Sequence, residues 1–233
     1  SGKVLELNME EAAKRVIRMN QNIAAEININ SAARCTTVKP AGTTSLVLGT
    51  SSGIHAWHNR YYIRRIRVGK NESIYSYLAI HHPELLEDDY FRPHDTAVIN
   101  IPQKAPLGSQ TRKERPEDLL DRIKKVATEW VKPGHRSGSN THNVSATVSL
   151  KDYQWDDIGE WMWKNRNHYN GLSVLPYDGG TYVQAPFEDI TKQKYDEMTK
   201  TLHEVNLTKI IEVDDNTDLS GELACAGGSC EVT

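Results

Sequence analysis

Apolar side chains near the start of the sequence recur every three or four positions from Met9 to Ala24. This spacing places them along one face of an amphipathic helix. Asn8 can cap the N-terminus of such a helix, and Glu11 follows three positions later, as in a capping box. The pattern therefore predicts a helix from Asn8 to about Ile27.

Short β-branched runs alternate with further helical patterns along the rest of the chain. Strands are predicted at residues 33–38, 57–68, 96–101, 144–150 and 172–175. Helices are predicted at 45–48, 73–79, 117–131, 156–165 and 192–205, and Pro116 marks the start of the third. The proline-rich segment 83–115 is expected to be a long irregular connection around its one strand. This alternation is typical of an α/β domain.

Composition narrows the classes of function. The chain has 233 residues, 38% of them hydrophobic and 25% charged, which suits one globular domain with a tail. No run approaches the roughly 18 apolar residues of a membrane span, and no apolar signal core is found, so we expect a cytoplasmic protein. The net charge of −3 gives no general argument for a DNA or RNA partner, although five cations fall within eleven residues: Arg60, Arg64, Arg65, Arg67 and Lys70.

A hydroxyl-rich loop lies between a predicted strand and a predicted helix. It runs Lys39, Pro40, Ala41, Gly42, Thr43, Thr44, Ser45. A phosphate there would meet backbone N–H groups, hydroxyl donors and the positive end of the helix dipole, and Gly42 would let the backbone come close. The loop matches neither the Walker pattern nor the dinucleotide-binding glycine pattern. From these residues alone, a capped helix without a ligand is the more common explanation.

Two of the three cysteines, Cys225 and Cys230, lie in an acidic, glycine-containing tail. A bridge between them would close too small a loop to stabilise the fold, so a reversible dithiol is the better use. Metal binding and an inert tail are the alternatives, but only two soft ligands are present locally. Cys35 is interpreted as a small buried residue, and no metal site is predicted, because His55 and His58 lack partners at suitable spacing.

Taken in order, five segments and the Cys-x4-Cys ending resemble the C-terminal part of ribonucleotide reductases, most closely the adenosylcobalamin-dependent class. The segments are TTVKPAGTTS (36–45), GIH (53–55), RYYIRR (60–65), NTHNVS (140–145) and GLSVLPYDGGTY (171–182). The resemblance covers nearly the whole chain, and the shared order makes it more specific than any single motif.

The resemblance implies a fold and two functional sites. Residues 1–211 would form the C-terminal portion of a ten-stranded α/β barrel, and residues 212–233 a flexible redox tail. Pro40, Ala41, Gly42, Thr43, Thr44 and Ser45 would hold the phosphates of a ribonucleotide. Cys225 and Cys230 would reduce the active-site disulfide after each turnover and would themselves be reduced by thioredoxin or a similar protein. The implied cofactor is adenosylcobalamin.

The radical cysteine of the resembled family lies in an Asn-Pro-Cys-x-Glu motif, and this sequence contains no Asn-Pro pair. We therefore expect the radical cysteine, and most of the cobalamin contacts, to lie on an N-terminal part of the reductase outside this chain. The chain alone is expected to lack reductase activity. Because a partial barrel leaves apolar faces uncovered, we also expect poor solubility or tight association with that part.

Two alternatives remain open at the level of sequence. The chain could be part of the large subunit of a diiron-dependent reductase, which shares the barrel and the cysteine-pair tail. It could also be a non-catalytic nucleotide-binding or redox-adaptor module that kept the loop and the tail. Cobalamin-dependent turnover after assembly with the missing part distinguishes both from the first interpretation.

Overall fold

The computed structural model describes residues 8–41, 44–177 and 182–212. The first helix, α1, spans Met9–Glu26. The Asn8 side chain accepts a hydrogen bond from the backbone N–H of Glu11 at 3.0 Å, so the predicted cap is confirmed. Ala13 and Ala24 are buried on one side of α1, which packs on the segment Ala127–Val131.

An antiparallel sheet of four strands forms one half of the described structure. Its strands are β1 (Tyr61–Gly69), β2 (Leu86–Asp88), β3 (Thr96–Lys104) and β6 (Phe187–Asp189), in the order β2-β3-β1-β6. The long β1–β3 pair runs from Tyr61 opposite Lys104 to Gly69 opposite Thr96. Helix α3 (Ser73–His81) contributes Tyr77 and Leu78 to the apolar cluster on this sheet.

A parallel pair of strands forms the other half. Strands β4 (Thr147–Leu150) and β5 (Ser173–Pro176) pair in register, with Thr147 opposite Ser173. Helices α4 (Pro116–Val126) and α5 (Trp155–Lys164) cover the pair, and Leu120, Ile123 and Ile158 are almost fully buried in its core. The connection between parallel strands through a helix is the expected arrangement for an α/β layer.

The remaining helices are short. Helix α2 spans Thr44–Val47 and α6 spans Lys192–Lys200. The predicted helix 117–131 is present, but its last turn, Ala127–Val131, is π-helical. In the described ranges, no helix is both long enough and apolar enough to cross a bilayer.

The prediction of a regular strand at residues 33–38 is wrong. Only two isolated bridges form there, Arg34 with His135 and Val38 with Val144. The Thr36 hydroxyl is buried and donates to the Trp130 carbonyl at 2.7 Å. The chain is therefore extended through this segment, but side-chain bonds to a neighbouring helix end replace part of a strand ladder.

Candidate phosphate-binding site

The segment that precedes the predicted phosphate loop runs parallel to the chain that leads into β4. The Ser145 N–H donates to the Val38 carbonyl at 2.9 Å, and the Val38 N–H donates to the Asn143 carbonyl at 3.5 Å. The Thr37 hydroxyl donates to the Asn143 carbonyl at 3.0 Å. These bonds fix the point at which the loop Lys39–Ser45 leaves the parallel layer.

Four of the predicted loop residues lie in the described part of the chain: Pro40, Ala41, Thr44 and Ser45. Gly42 and Thr43 lie outside the described residues. Ser45 is buried, and its N–H donates to the Ala41 carbonyl at 3.1 Å, whereas Thr44 is exposed. Helix α2 has a single turn, so its dipole is weaker than that of a long helix, and hydroxyls and a cation must provide more of any attraction for phosphate.

Lys39 supplies that cation. Its side chain lies at the surface, and Nζ is 3.3 Å from the Ser145 hydroxyl. The ammonium group is thereby held beside the loop by the chain entering β4. A phosphate bound at the loop would therefore meet a positive charge as well as hydroxyl and N–H donors.

The segment Ser51–His55 packs against the start of the loop. The Ala41 N–H donates to Ser52 Oγ at 3.1 Å. Gly53 has a φ of +58°, and a Cβ at this position would lie 2.8 Å from the Lys39 carbonyl oxygen. Only glycine fits this close approach in this backbone conformation. The GIH segment thus packs directly against the loop.

His55 uses both ring nitrogens within the protein. Nδ1 lies 2.9 Å from the Ser52 carbonyl oxygen, and Nε2 lies 3.0 Å from the Thr147 backbone nitrogen on β4. Burial lowers the pKa of His55 below its ordinary value. The ring is therefore neutral at pH 7.

His58 is also held structurally. Its ring stacks on Phe187, with centroids 5.0 Å apart, and Nε2 is 3.0 Å from Asp189 Oδ1. Burial, followed by the nearby Arg112 charge, lowers the pKa of His58 to about 4. The contact with Asp189 is therefore a hydrogen bond from a neutral imidazole at pH 7.

Further motif segments meet beside the loop. The Asn143 side-chain amide donates to the Gly171 carbonyl at 3.0 Å, and the Asn170 amide donates to the Thr141 carbonyl at 2.8 Å. The segments TTVKPAGTTS and NTHNVS and the described start of GLSVLPYDGGTY are thus joined by hydrogen bonds, and the GIH segment is connected to them through Ser52 and Thr147. The RYYIRR segment lies apart from them, in β1 of the antiparallel sheet.

The five cations between Arg60 and Lys70 are engaged within the fold: three pair with carboxylates, and Arg60 donates to the Ala105 carbonyl. Arg65 pairs with Glu188, Arg67 with Asp89 and Lys70 with Asp88. The Arg64 guanidinium is buried 4.4 Å from the Phe187 ring centroid. These side chains stabilise the sheet and its edges, and they do not form an open basic surface.

The cysteines divide into two groups. Cys35 is half-buried, with Sγ 3.9 Å from the Ala32 carbonyl oxygen. Cys225 and Cys230, the predicted redox pair, lie outside the described residues, as does the predicted tail beyond Glu212. Their role remains a prediction from the sequence.

Sequence reasoning missed two residues that shape the loop, Ser52 and Thr147, and it gave no separate role to Ser145 at the end of the NTHNVS segment. Each lies close to a motif but carries no signal of its own, since serine and threonine are common in loops and strands. The available indications were positional: Ser52 precedes the GIH segment, and Thr147 follows two residues after NTHNVS.

The described residues have an α/β fold of the kind found in class II ribonucleotide reductases. A crystal structure of a B-12 dependent (class II) ribonucleotide reductase superposes with a TM-score of 0.67 and 24% identity, covering 82% of this chain and 26% of that chain. This likeness establishes the fold and confirms the predicted α/β fold class.

The sequence itself is similar to adenosylcobalamin-dependent ribonucleoside-triphosphate reductases. The protein of this name from Lactobacillus delbrueckii subsp. bulgaricus is 27% identical over 233 aligned positions, covering 96% of this chain and 30% of the relative. Those from Lactobacillus gasseri (28% identity; 93% and 29%) and Euglena gracilis (25%; 95% and 30%) align similarly. No family model matches the chain. The resemblance seen in the motifs is confirmed, and the chain spans about 30% of the length of these relatives.

Proposed function

We propose that this chain is the substrate-phosphate and electron-relay part of an adenosylcobalamin-dependent ribonucleoside-triphosphate reductase. The observation that carries the proposal is the convergence of four motif segments around the Lys39–Ser45 loop. These segments are far apart in sequence, yet hydrogen bonds connect them, directly for three segments and through Ser52 and Thr147 for the GIH segment.

The loop would bind the triphosphate of the substrate. Lys39 provides a charge-assisted contact, and the exposed Thr44 hydroxyl provides a donor. Buried Ser45 anchors the far end of the loop through its bond to the Ala41 carbonyl. The name of the relatives supports a triphosphate over a diphosphate.

Cys225 and Cys230 would relay electrons to the active site. In the overall reaction, the ribose 2′-hydroxyl is replaced by hydrogen and leaves as water, while a dithiol is oxidised to a disulfide. The tail dithiol would then reduce that disulfide by thiol–disulfide exchange, and thioredoxin or a similar protein would reduce the tail. The paired thiols and the two glycines between them suit such an exchange.

Adenosylcobalamin, when bound, supplies the radical that starts the reaction. The described residues do not form a site that fits it. A cavity of about 780 Å³ lies beside the turn Gly69–Glu72, but most of the charged side chains in its wall already have partners in the protein, as Arg67 has Asp89 and Arg92 has Asp95. We therefore place the cofactor contacts on the rest of the reductase.

The exposed face of α1 supports association with that remaining part. Four apolar side chains form a continuous row, defined here as the α1 stripe: Val16, Met19, Ile23 and Ile27, which are 36%, 61%, 46% and 58% exposed. An apolar row of this kind on a helix normally packs against another element. The alignment covers only 30% of the relative from Lactobacillus delbrueckii. A segment equivalent to the other part of that relative would be the partner that covers the α1 stripe.

The experiment that tests the redox role combines this chain with the part of the reductase that it does not cover. Turnover is measured with adenosylcobalamin, a ribonucleoside triphosphate and either thioredoxin or a small dithiol. Replacing both tail cysteines (Cys225→Ser with Cys230→Ser) should abolish turnover with thioredoxin but preserve it with the small dithiol. Cys35→Ser is the matched control and should retain both activities.

Three outcomes contradict parts of this proposal. Unchanged thioredoxin-dependent turnover in the double variant contradicts the relay. Deoxynucleotide formation by this chain alone contradicts the need for the remaining part. An assembled complex that binds nucleotide without any turnover favours a non-catalytic adaptor.

The phosphate role has its own test, which uses calorimetric titration of the assembled protein with a ribonucleoside triphosphate. Lys39→Gln should weaken binding about tenfold, the effect of losing one charge-assisted contact. Lys14→Gln removes an exposed lysine from α1 and is the control. An equal loss of nucleotide affinity in Lys39→Gln and Lys14→Gln would show that net charge, and not a contact at the loop, determines the effect.

A further inference from the structure

A chain of three hydrogen bonds connects the candidate phosphate loop to strand β4 through the ring of His55. The Ala41 N–H donates to Ser52 Oγ at 3.1 Å, and the carbonyl of the same serine lies 2.9 Å from His55 Nδ1. The Thr147 N–H then meets His55 Nε2 at 3.0 Å. Loop and strand are 106 residues apart at Ala41 and Thr147, yet Ser52 and the ring of His55 connect them.

These partners allow only one protonation state of the ring. A backbone N–H can only donate, so His55 Nε2 must accept from Thr147. A backbone carbonyl can only accept, so His55 Nδ1 must carry the proton and donate to Ser52. The imidazole is therefore neutral, with its proton on Nδ1. A protonated ring would place two donors, Nε2–H and the Thr147 N–H, against each other.

We propose that His55 is a positioning residue for the loop: in its neutral Nδ1–H form it fixes Ser52, and through Ser52 the Ala41 end of the loop, against β4. Protonation of His55 releases this connection and loosens the loop. The consequence for nucleotide binding rests on the phosphate role proposed above, whereas the hydrogen-bonded connection itself does not.

The backbone around His55 makes the connection stiff. The His55 N–H donates to the Ser52 carbonyl at 3.1 Å, which closes a tight turn between the two residues. Gly53, inside this turn, contacts the Lys39 carbonyl so closely that no side chain fits. A displacement of the His55 ring is therefore transmitted to both Lys39 and Ala41, at the start of the loop.

The surroundings favour the neutral ring. Burial is the main cause of the lowered pKa of His55, and the Arg122 charge lowers it further, while the Ser52 hydrogen bond and Glu114 oppose the shift. The small cavity of about 90 Å³ beside the ring is also lined by the polar side chains of Arg112, Arg115, Thr147, Ser149 and Tyr177. Burial outweighs the opposing contributions, so this environment is unfavourable for an imidazolium ion.

His55 does not act as an acid or base in this arrangement, because both ring nitrogens are occupied by backbone groups. Its effect on substrate is indirect and follows from the position of the loop. A structural role in folding alone would not couple the loop to pH, and this difference makes the proposal testable.

The test uses nuclear magnetic resonance of the full 233-residue chain with nitrogen-15 histidine and backbone labels. At pH 7, His55 should show a protonated Nδ1 and an unprotonated Nε2. The backbone amide signals of Ala41 and Thr147 should shift together with protonation of His55 as the pH falls. A protonated Nε2 at pH 7 overturns the proposal. An Ala41 amide signal that does not shift as His55 is protonated also overturns it.

Two variants then measure the effect on binding in the assembled reductase, with a ribonucleoside triphosphate as the probe. His55→Gln keeps an acceptor near the Nε2 position without titrating, and His55→Phe keeps an aromatic ring without polar atoms. His55→Phe should bind about tenfold more weakly than the wild type at pH 7. His55→Gln should bind more tightly than His55→Phe, and its affinity should lose the extra decline that the wild type shows at acid pH.

Protonation of the nucleotide phosphates lowers the affinity of the wild type and of His55→Gln equally. The difference between the two pH profiles therefore reports the titration of His55 alone. An equal acid decline in the wild type and in His55→Gln overturns the positioning role. If the wild type binds no nucleotide at all, the phosphate assignment fails, and the resonance experiment still decides whether His55 holds Ala41 in place.

Discussion

The side chain of Thr36 occupies the space in which a side chain at Gly134 would have to lie. A Cβ built on Gly134 would come within 1.8 Å of Thr36 Oγ1 and 2.6 Å of Thr36 Cγ2. Thr36 cannot rotate away freely, because its hydroxyl donates to the Trp130 carbonyl at 2.7 Å. The Cys35 N–H also donates to the Gly134 carbonyl at 2.9 Å, which holds the two backbones together. This close contact fixes the segment that leads into the candidate phosphate loop.

Gly134→Ala should therefore destabilise the chain. Relief of the overlap requires either a backbone shift or loss of the buried Thr36 hydrogen bond, at a cost of roughly 1–3 kcal/mol in the free energy of unfolding. Urea denaturation followed by circular dichroism measures the change. Gly159→Ala is the matched control: nothing lies within 4 Å of its added Cβ, and the site is exposed in α5. This control should be stabilised by about 0.5–1 kcal/mol, and an equal loss in both variants would contradict the packing argument.

Acid should destabilise the fold through His58. Burial lowers the pKa of His58 from 6.5 to about 4, so the folded chain binds fewer protons than the unfolded chain between these values. The contribution to stability is complete above pH 6.5 and is lost as the pH falls towards about 4. The expected loss is on the order of 3 kcal/mol.

His58→Gln isolates this contribution, because glutamine can still donate to Asp189 but does not titrate in this range. Urea midpoints of the wild type and the variant are compared at several pH values between 4 and 8. The wild type should lose stability relative to His58→Gln as the pH falls. Parallel pH profiles would show that His58 is not the group responsible.

Local signals in the sequence were sufficient to place the main helices. The cap at Asn8 and the proline at the start of α4 act within a few residues, so α1 and α4 lie close to where they were predicted. Strand β6 was missed because its three residues are held by partners on β1 that are far away in sequence. The segment 33–38 was misassigned because its β-branched residues satisfy the same local pattern as a strand.

In the candidate site, too, local features were predictable from the sequence and contacts between distant segments were not. The loop was recognisable from its residue types and from the resemblance, both of which are properties of a continuous segment. The connection from Ala41 through Ser52 and His55 to Thr147 was not recognisable, because it depends on two distant segments meeting in the fold. Helix α2 was expected at this point, but its single turn shows that the loop relies more on side-chain support than on a helix dipole.

A buried ion pair near the site should be important for stability. The two terminal nitrogens of the Arg122 guanidinium each donate to one carboxylate oxygen of Glu114 at 2.6 Å, and these side chains are only 20% and 10% exposed. Glu114→Gln would leave the Arg122 charge without its counter-ion in a desolvated position. We expect a loss on the order of 3 kcal/mol in the free energy of unfolding.

The control for this prediction is Glu129→Gln. Glu129 pairs with Lys125 one helical turn away, but the two side chains are 39% and 47% exposed. Solvent screens such a pair, so the change should be below about 1 kcal/mol. The free energy of unfolding of both variants is measured by urea denaturation. Similar decreases in Glu114→Gln and Glu129→Gln would show that burial does not make the Arg122–Glu114 pair more important for stability.

The α1 stripe should control association with the rest of the reductase. Met19 and Ile23 lie at its centre and are 61% and 46% exposed, so a lysine at either position is tolerated by the isolated chain. In the assembly the same lysine would be buried without a partner, which is costly. Met19→Lys and Ile23→Lys should therefore weaken assembly by at least tenfold, measured by analytical ultracentrifugation of the mixed parts, with little change in the urea midpoint of the chain alone. Gln21→Lys adds the same charge at an exposed position on the opposite side of α1 and should assemble normally. Equal weakening by all three variants would exclude the stripe as the contact surface.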